Sequence, residues 1–149
     1  MKPLAPLSPA LPAPFVDWFA ARGWTPRQHQ LELVARAEAG ESALLVAPTG
    51  AGKTLAGFLP SLIELTARGR RLPGLQRRGL HTLYISPLKA LAIDVARNLK
   101  TPIEEMGLGV RIETRTGDTS PSKRQRQRRD PPDMLLTTPE QVALLLASP

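Results

Sequence analysis

The chain has 149 residues, of which 42% are hydrophobic and only 4% aromatic, enough for one globular domain with an aliphatic core. It has no cysteine, which excludes disulfide bonds, thiolate metal sites and thiol nucleophiles. It has no apolar run of the roughly 18 residues that a membrane span needs, and its net charge is +7, so we expect a cytoplasmic protein with no membrane partner.

The positive charge is concentrated in two segments. Five arginines lie between residues 68 and 78 with no acidic residue among them, and residues 109–130 carry a net charge of +4. Clustering of this kind fits a polyanionic partner such as nucleic acid. Two solvated arginine-rich loops would give the same pattern, so charge alone leaves both interpretations open.

The elements predicted in chain order alternate between helices and strands. A proline-rich leader at 1–14, expected to be disordered, precedes a helix at 15–22. Thr25, Pro26 and Gln28 predict the N-cap, first residue and capping-box partner of a second helix that ends near residue 39. The later elements are a buried strand at 43–47, a helix at 53–68, an Arg/Gly/Pro loop at 69–79, a strand at 81–86, a helix at 88–99 with a short helical restart at Thr101-Pro102, a strand at 110–114, a polar helix or loop at 122–129, a strand at 134–137 and a helix at 138–147. Four strand-then-helix repeats predict an α/β fold, with a parallel sheet covered by helices on both faces.

The segment from Leu44 to Thr54 predicts a phosphate-binding loop, because a buried strand runs into a glycine-containing turn and then a helix. Its glycines would let the backbone approach phosphates at the helix N-terminus. Lys53 would reach the β- and γ-phosphates of ATP and the Thr54 hydroxyl would bind Mg²⁺, which makes both candidate catalytic residues. A chance Gly-Lys-Thr at a helix start is the alternative, and the flanking elements argue against it. The candidate phosphate site consists of Thr49, Gly50, Ala51, Gly52, Lys53 and Thr54.

Five segments in this order resemble the first RecA-like lobe of superfamily 2 helicases. They are GWTPRQHQ at 23–30, APTGAGKT at 47–54, YISPLKALA at 84–92, RTGDT at 115–119 and TTPE at 137–140. The resemblance is strongest to the large-helicase-related (Lhr) family and, within it, to the ligase-associated DEXH-box helicases of DNA repair. It implies a partial RecA-like lobe over 15–149 that uses ATP and Mg²⁺. It also implies a nucleic-acid partner, with DNA favoured over RNA, in a repair complex that contains a DNA ligase.

The resemblance also implies residues that recognise adenine. Arg27 and Gln30 match the family's Arg-x-x-Gln spacing, and a side-chain amide donates and accepts hydrogen bonds at once, as an adenine edge requires. Gln28 competes for this role, but as a capping-box partner it already has a structural role. Trp24 or Phe19 would stack on the base, although a large aromatic near a helix junction is more often part of the core.

A second site implied by the resemblance binds the nucleic-acid backbone. The segment at 84–92 resembles motif Ia, the one at 137–140 resembles motif Ib, and 117–119 resembles the family's Thr-Gly-Asp motif. Hydroxyls, a lysine and free N–H groups at helix starts bind phosphate without reading sequence. Ordinary helix capping is the alternative at residues 138–141, and the basic run at 123–129 is either a solvated face or a further phosphate contact. The candidate residues are Ser86, Pro87, Lys89, Gly117, Asp118, Thr137, Thr138, Pro139 and Glu140.

The resembled family places a strand ending in Asp-Glu-x-His after these motifs, and a second lobe supplies arginine fingers. These 149 residues contain no Asp-Glu-x-His sequence. We therefore expect an N-terminal fragment that binds ATP and nucleic-acid backbone without hydrolysing ATP. One alternative is a non-enzymatic nucleic-acid-binding module with a vestigial loop. Another is a nucleotide-binding protein with no nucleic-acid role, against which motifs Ia and Ib argue.

Overall fold

The computed structural model describes residues 10–69 and 79–147 and divides the chain into two compact units, Met1–Glu64 and Leu65–Pro149. The leader residues 1–9, most of the predicted Arg/Gly/Pro loop and its arginines (70–78), and residues 148–149 lie outside the described ranges. The elements are α1 (Ala13–Ala21), α2 (Gln28–Glu38), α3 (Lys53–Ala67), β1 (Thr82–Ile85), α4 (Lys89–Glu105), β2 (Ile112–Arg115), α5 (Pro121–Arg129), β3 (Met134–Thr137) and α6 (Pro139–Leu146). No helix in the described ranges is long and apolar enough to cross a membrane.

The first unit contains the N-terminal helices. Helix α1 begins at Ala13 and buries Phe15, Trp18 and Phe19, which lie on one helical face at i, i+3 and i+4 spacing. Helix α2 begins at Gln28, so the predicted capping box of Thr25 with Gln28 is wrong: Arg27 is the N-cap residue.

The predicted strand at 43–47 is absent: the structure assigns no strand to residues 41–48. The side chains of Leu44 and Val46 are 89% and 85% exposed. A β-strand is stabilised by ladder hydrogen bonds and by burial of its side chains. Among the residues that the structure describes, the three strands of the sheet pair only with one another. The segment is apolar, but the prediction that it forms a paired, buried strand is wrong.

The second unit is built on a three-stranded parallel sheet with the strand order β1-β3-β2. The register aligns Ile85 with Thr137 and Arg115 with Thr137, so all three strands end at the same level. Helix α4 packs against β2 and β3 and buries Ala92, Val95, Leu99 and Ile103. Every residue of β3 is buried, whereas Leu83 and Ile85 of β1 are 42% and 48% exposed, so the predicted cover on both faces holds for the central strand only.

Helix α4 continues to Glu105, and the helical restart predicted at Thr101-Pro102 is wrong. Pro102 lies inside the helix, where it removes one backbone hydrogen bond. Pro102 and its neighbour Ile103 are both buried. Burial of this apolar surface offsets the lost hydrogen bond, so the helix continues through the proline.

Asp133 fixes the starts of the three strands. Its carbonyl oxygen accepts hydrogen bonds from the backbone N–H groups of His81 and Thr82, each at 3.0 Å. Its carboxylate accepts a hydrogen bond from the backbone N–H of Arg111 at 2.8 Å, and its own N–H donates to the Arg111 carbonyl at 3.0 Å. One buried residue before β3 therefore contacts the segments that lead into both outer strands, which sets their register.

The basic segment at 122–129, predicted as a helix or a loop, is the helix α5, which begins at Pro121 with Ser120 as its N-cap. Glu113 of β2 anchors it: both carboxylate oxygens accept from the Arg126 guanidinium at 2.8 Å, and one accepts from the Gln127 amide at 2.9 Å. Burial raises the pKa of Glu113. The hydrogen bonds and the charges of Arg126 and Arg111 lower this pKa by more, so the net shift is downward.

We predict that Glu113→Gln lowers the free energy of unfolding at pH 7 by about 1–3 kcal/mol, because charge-assisted hydrogen bonds to Arg126 are lost. The folded-state pKa of Glu113 is depressed, so its contribution is present above the unfolded pKa of about 4.3 and is lost as pH falls through the folded value. Urea denaturation followed by circular dichroism should show a difference between variant and wild type that is nearly constant from pH 7 to about pH 5 and shrinks as the pH falls below that value. Glu104→Gln, at an exposed position of α4, is the control, and equal effects of the two substitutions would contradict the prediction.

Candidate functional site

The predicted phosphate-binding loop forms a tight turn directly before α3. Gly50 and Gly52 have φ angles of +79° and +72°, a region that side-chain-bearing residues rarely adopt. The N–H of Ala51 donates to the carbonyl of Pro48 at 3.2 Å, which closes the turn. Helix α3 begins at Lys53, so the first N–H groups of the helix have no intrahelical acceptor and are available to an anion.

Lys53 lies along this loop. Its ammonium group donates to the carbonyls of Ala47 at 2.5 Å and Pro48 at 2.9 Å. Both Lys53 and Thr54 are exposed. A lysine held by backbone carbonyls beside free N–H groups is positioned to exchange these acceptors for phosphate oxygens, so the residues fit a nucleoside triphosphate.

Mg²⁺ would have one protein ligand here, the Thr54 hydroxyl. In the described part of the chain, no group of three or more His, Cys, Asp or Glu side chains could hold a metal ion. Mg²⁺ is commonly bound by one or two protein groups together with phosphates and water. The donor set therefore fits a metal that is carried by the nucleotide.

Gln30 links α2 to the phosphate-binding loop. Its side chain is 3% exposed; its Oε1 accepts from the Arg27 N–H at 2.8 Å and its Nε2 donates to the Gly52 carbonyl at 3.4 Å. Gln30, not Gln28, thus closes the cap of α2. Gln28 is exposed and donates to Glu32 at 2.7 Å. The structural role assigned to Gln28 from sequence therefore belongs to Gln30, the residue predicted to contact adenine.

The two aromatic candidates for base stacking differ in exposure. Phe19 is 4% exposed and packs edge-on against Trp18, with ring centroids 5.3 Å apart. Trp24 is 52% exposed, and the Arg22 guanidinium lies 5.1 Å from its ring centroid. Of the two, only Trp24 is exposed.

The second candidate site lies where the three parallel strands end, the edge at which open α/β sheets bind ligands. The backbone N–H of Ser86 donates to the Thr137 carbonyl at 2.9 Å, and the Thr137 hydroxyl donates to the Arg115 carbonyl at 2.7 Å. The segments resembling motif Ia, motif Ib and the Thr-Gly-Asp motif are therefore adjacent in the structure.

Burial divides the nine predicted contact residues into two groups. Ser86, Thr137 and Thr138 are at most 1% exposed. The Ser86 hydroxyl donates to the Leu88 carbonyl, and that of Thr138 donates to Glu140 at 2.6 Å. These hydroxyls thus shape the turns. The exposed candidates are Pro87, Lys89, Gly117, Asp118, Pro139 and Glu140.

Helix α6 has the predicted N-cap, Thr138, with Pro139 as its first residue, but the expected side-chain cap is absent. The Thr138 hydroxyl donates to the Glu140 carboxylate instead of accepting from the backbone. This hydrogen bond lowers the pKa of Glu140. The N–H groups of Gln141 and Val142 donate to the Thr138 carbonyl at 3.1 and 3.2 Å.

Two arginines that were not among the predicted site residues support this surface. Arg124 of α5 donates to the carbonyls of Thr119 at 2.8 Å, Thr116 at 3.1 Å and Gly117 at 2.9 Å, and so holds the Thr-Gly-Asp loop in place. Arg115 is 3% exposed, and its Nε and Nη1 have no hydrogen-bond partner among the described residues. Burial lowers its pKa, and the charges of Arg124 and the neighbouring Arg128 lower it further. The position of Arg115, first in RTGDT, was the available sequence signal.

Comparison with known proteins identifies the family. A model described as DEAD/DEAH box helicase matches residues 27–148. The chain belongs to the DEAD/DEAH box helicase family. It is 39% identical over 142 residues to the Lhr helicase/probable uracil glycosylase of Mycolicibacterium smegmatis, covering 89% of this chain and 9% of that protein. It is 40% identical over 144 residues to the Lhr helicase/uracil glycosylase of Escherichia coli, with the same coverages of 89% and 9%.

A solved helicase structure gives the same result at the level of fold. The Mycobacterium smegmatis helicase Lhr bound to ssDNA and AMP-PNP superposes with a TM-score of 0.80 at 37% identity, over 96% of this chain and 18% of that one. The chain is therefore part of a RecA-like helicase lobe, as its sequence predicts, and is homologous to Lhr helicases. It spans less than a tenth of the length of the two curated relatives described above.

We predict that Gly52→Ala weakens binding of a fluorescent ATP analogue by at least about tenfold. An added Cβ would lie 2.9 Å from the Gln30 Nε2, and a φ of +72° costs a side-chain-bearing residue roughly 1–2 kcal/mol.

Gly57→Ala is the matched control, because Gly57 lies within α3 and an added Cβ would meet nothing within 4 Å. That substitution should leave ATP affinity unchanged and slightly stabilise the helix. Wild-type affinity in Gly52→Ala would contradict the role assigned to the loop.

Proposed function

We propose that this chain contributes ATP binding and nucleic-acid backbone contacts to an ATP-dependent DNA helicase of the Lhr type. The observation that carries the proposal is the loop before α3, in which Gly50 and Gly52 adopt positive φ angles and Lys53 lies beside the free N–H groups of the helix. Such a loop binds the phosphates of a nucleotide.

For ATP, the proposed phosphate ligands are residues 49–54, with Lys53 and Thr54 as the catalytic residues. Lys53 would neutralise the β- and γ-phosphates and the Thr54 hydroxyl would hold Mg²⁺, which neutralises developing charge in phosphoryl transfer. Arg27 and Gln30 are proposed to contact the adenine. Hydrolysis would require an Asp-Glu-x-His motif and a second lobe, and neither sequence feature is present in these 149 residues.

For nucleic acid, the proposed surface is the edge where the three strands end. Its exposed members provide one ammonium group, Lys89, together with the backbone N–H group of Gly117. These groups recognise phosphates without reading bases. Ser86, Thr137 and Thr138 contribute by holding this backbone rather than through their hydroxyls. DNA is favoured over RNA because the similar Lhr structure is described as bound to ssDNA. A role in DNA repair with a ligase-associated complex rests on the resemblance of the motifs alone.

The alternative is a nucleic-acid-binding module whose loop no longer binds nucleotide. The basic helix α5 favours it, since it carries five cationic residues in nine positions. Against it, the loop retains both positive-φ glycines, and the Gln30 amide lies against Gly52. A measurement of nucleotide binding therefore distinguishes the helicase proposal from the nucleic-acid-binding module.

We predict that Lys53→Ala weakens binding of MgATP by at least about tenfold and leaves affinity for single-stranded DNA unchanged. The reason is that the ammonium group serves only the phosphate-binding loop. Isothermal titration with ATP and fluorescence anisotropy with labelled oligothymidine measure the two affinities on the 149-residue chain. Lys100→Ala, at an exposed position of α4, controls for loss of charge. Tight DNA binding by a wild-type chain that binds no ATP would favour the module.

We predict that Gln30→Ala reduces the preference for ATP over GTP roughly tenfold, whereas Gln28→Ala leaves it unchanged. Gln30 also supports Gly52, so the ratio of the two affinities is the informative quantity: loss of support weakens both nucleotides equally. Competition titrations with ATP and GTP on both variants give this ratio. A change confined to Gln28→Ala would assign adenine recognition to Gln28.

A further inference from the structure

An exposed ion pair joins the two outer segments of the proposed nucleic-acid surface. The ammonium group of Lys89, at the start of α4, lies 2.5 Å from a carboxylate oxygen of Asp118 in the loop after β2. The two side chains are 50% and 75% exposed. Lys89 follows β1 and Asp118 follows β2, and the sheet places β3 between these strands. The pair therefore connects segments that flank the end of the central strand.

The pair is not required for the fold of either segment. An ion pair this exposed contributes at most about 1 kcal/mol. The loop that carries Asp118 is held by other contacts: Arg124 donates to three of its carbonyls, and the Thr116 N–H donates to the Thr119 hydroxyl at 2.9 Å. Lys89 lies in the first turn of a helix that packs on the sheet. Neutralising Asp118 should therefore leave the surface intact.

We propose that Asp118 competes with the nucleic-acid backbone for Lys89, so that a phosphodiester must displace this carboxylate to reach the ammonium group. The inference rests on the proposed function, which makes Lys89 a backbone contact, and it changes the role of Asp118 from a contact to a competitor. A carboxylate and a phosphodiester repel each other, and both are acceptors for the same donor. Asp118 thus sets the affinity of the surface below the value that its cations alone would give.

Competition between Asp118 and a phosphodiester for Lys89 predicts how the affinity for nucleic acid depends on salt concentration. Each cation that neutralises a phosphate releases a counterion from the nucleic acid, which steepens the dependence of log affinity on log salt by about one unit or slightly less. In the wild type, contact between Lys89 and a phosphate also breaks the ion pair with Asp118. The Asp118 carboxylate then binds a cation from solution, and this uptake opposes the release of a counterion from the nucleic acid. Removal of the Asp118 charge should therefore raise affinity and steepen the slope together.

The test is a double-mutant cycle on the 149-residue chain, using fluorescence anisotropy with labelled oligothymidine at several salt concentrations. Asp118→Asn should tighten binding about three- to tenfold, and Lys89→Ala should weaken it by a similar factor. In the Lys89→Ala background, Asp118→Asn should tighten binding clearly less, because only the repulsion between carboxylate and phosphodiester remains to be removed. Asp94→Asn is the matched control: Asp94 pairs with Arg97 at 3.8 Å on α4 and is 63% exposed. It should change affinity less than twofold.

Three outcomes would overturn the proposal. Weaker binding by Asp118→Asn would make Asp118 a direct contact. Equal tightening in the presence and absence of Lys89, or in Asp94→Asn, would indicate a general charge effect. Unchanged binding by Lys89→Ala would remove the contact for which Asp118 competes. Failure of the proposed function is a separate result, in which the wild-type chain shows no salt-sensitive affinity for the oligonucleotide.

Discussion

The in-register parallel pairing of β3 with both neighbours is the constraint on which the second unit depends. Asp133 fixes where the strands start, through hydrogen bonds to the segments before β1 and β2. Because each strand has four residues, they also end together. Three segments far apart in sequence thereby reach the same edge of the sheet. A shift of one residue in β3 would turn its buried side chains to the opposite face and separate the motifs.

The first unit depends on a different kind of contact, in which one amide joins two motifs. Gln30 holds the N-terminus of α2 through Arg27 and approaches the Gly52 carbonyl. The residue proposed to contact the base is therefore hydrogen-bonded to the loop proposed to bind the phosphates. The same contact adds to the backbone cost of alanine at position 52, because an added Cβ would lie 2.9 Å from the Gln30 amide nitrogen.

Sequence reasoning was most successful where local chemistry decides the structure. The helix α3 after the Gly-Lys-Thr motif and the strand β3 at 134–137 are where they were predicted, because glycine torsions and continuous apolar runs are local signals. It failed where long-range contacts decide. The segment at 43–47 has strand-forming residues but no ladder among the described residues, and the capping residue of α2 depends on Gln30 reaching back to Arg27. Burial of Ser86 and Thr137, and the partner of Lys89, follow from strand order, which no residue pattern specifies.

The contacts of Arg124 bear on how sequence variation at this surface should be interpreted. Its guanidinium donates hydrogen bonds to carbonyls of the Thr-Gly-Asp loop. Helix α5 therefore holds that loop in place, although only the loop has a recognisable motif. Two cations of the basic run, Arg124 and Arg126, are already committed within the chain, and formal charge therefore overstates its attraction for a polyanion. If α5 were exchanged between relatives, the effects of substitutions in the loop would change, because the loop would lose or keep its hydrogen bonds to the helix. The tolerance of each loop residue to substitution would then depend on which helix accompanies it.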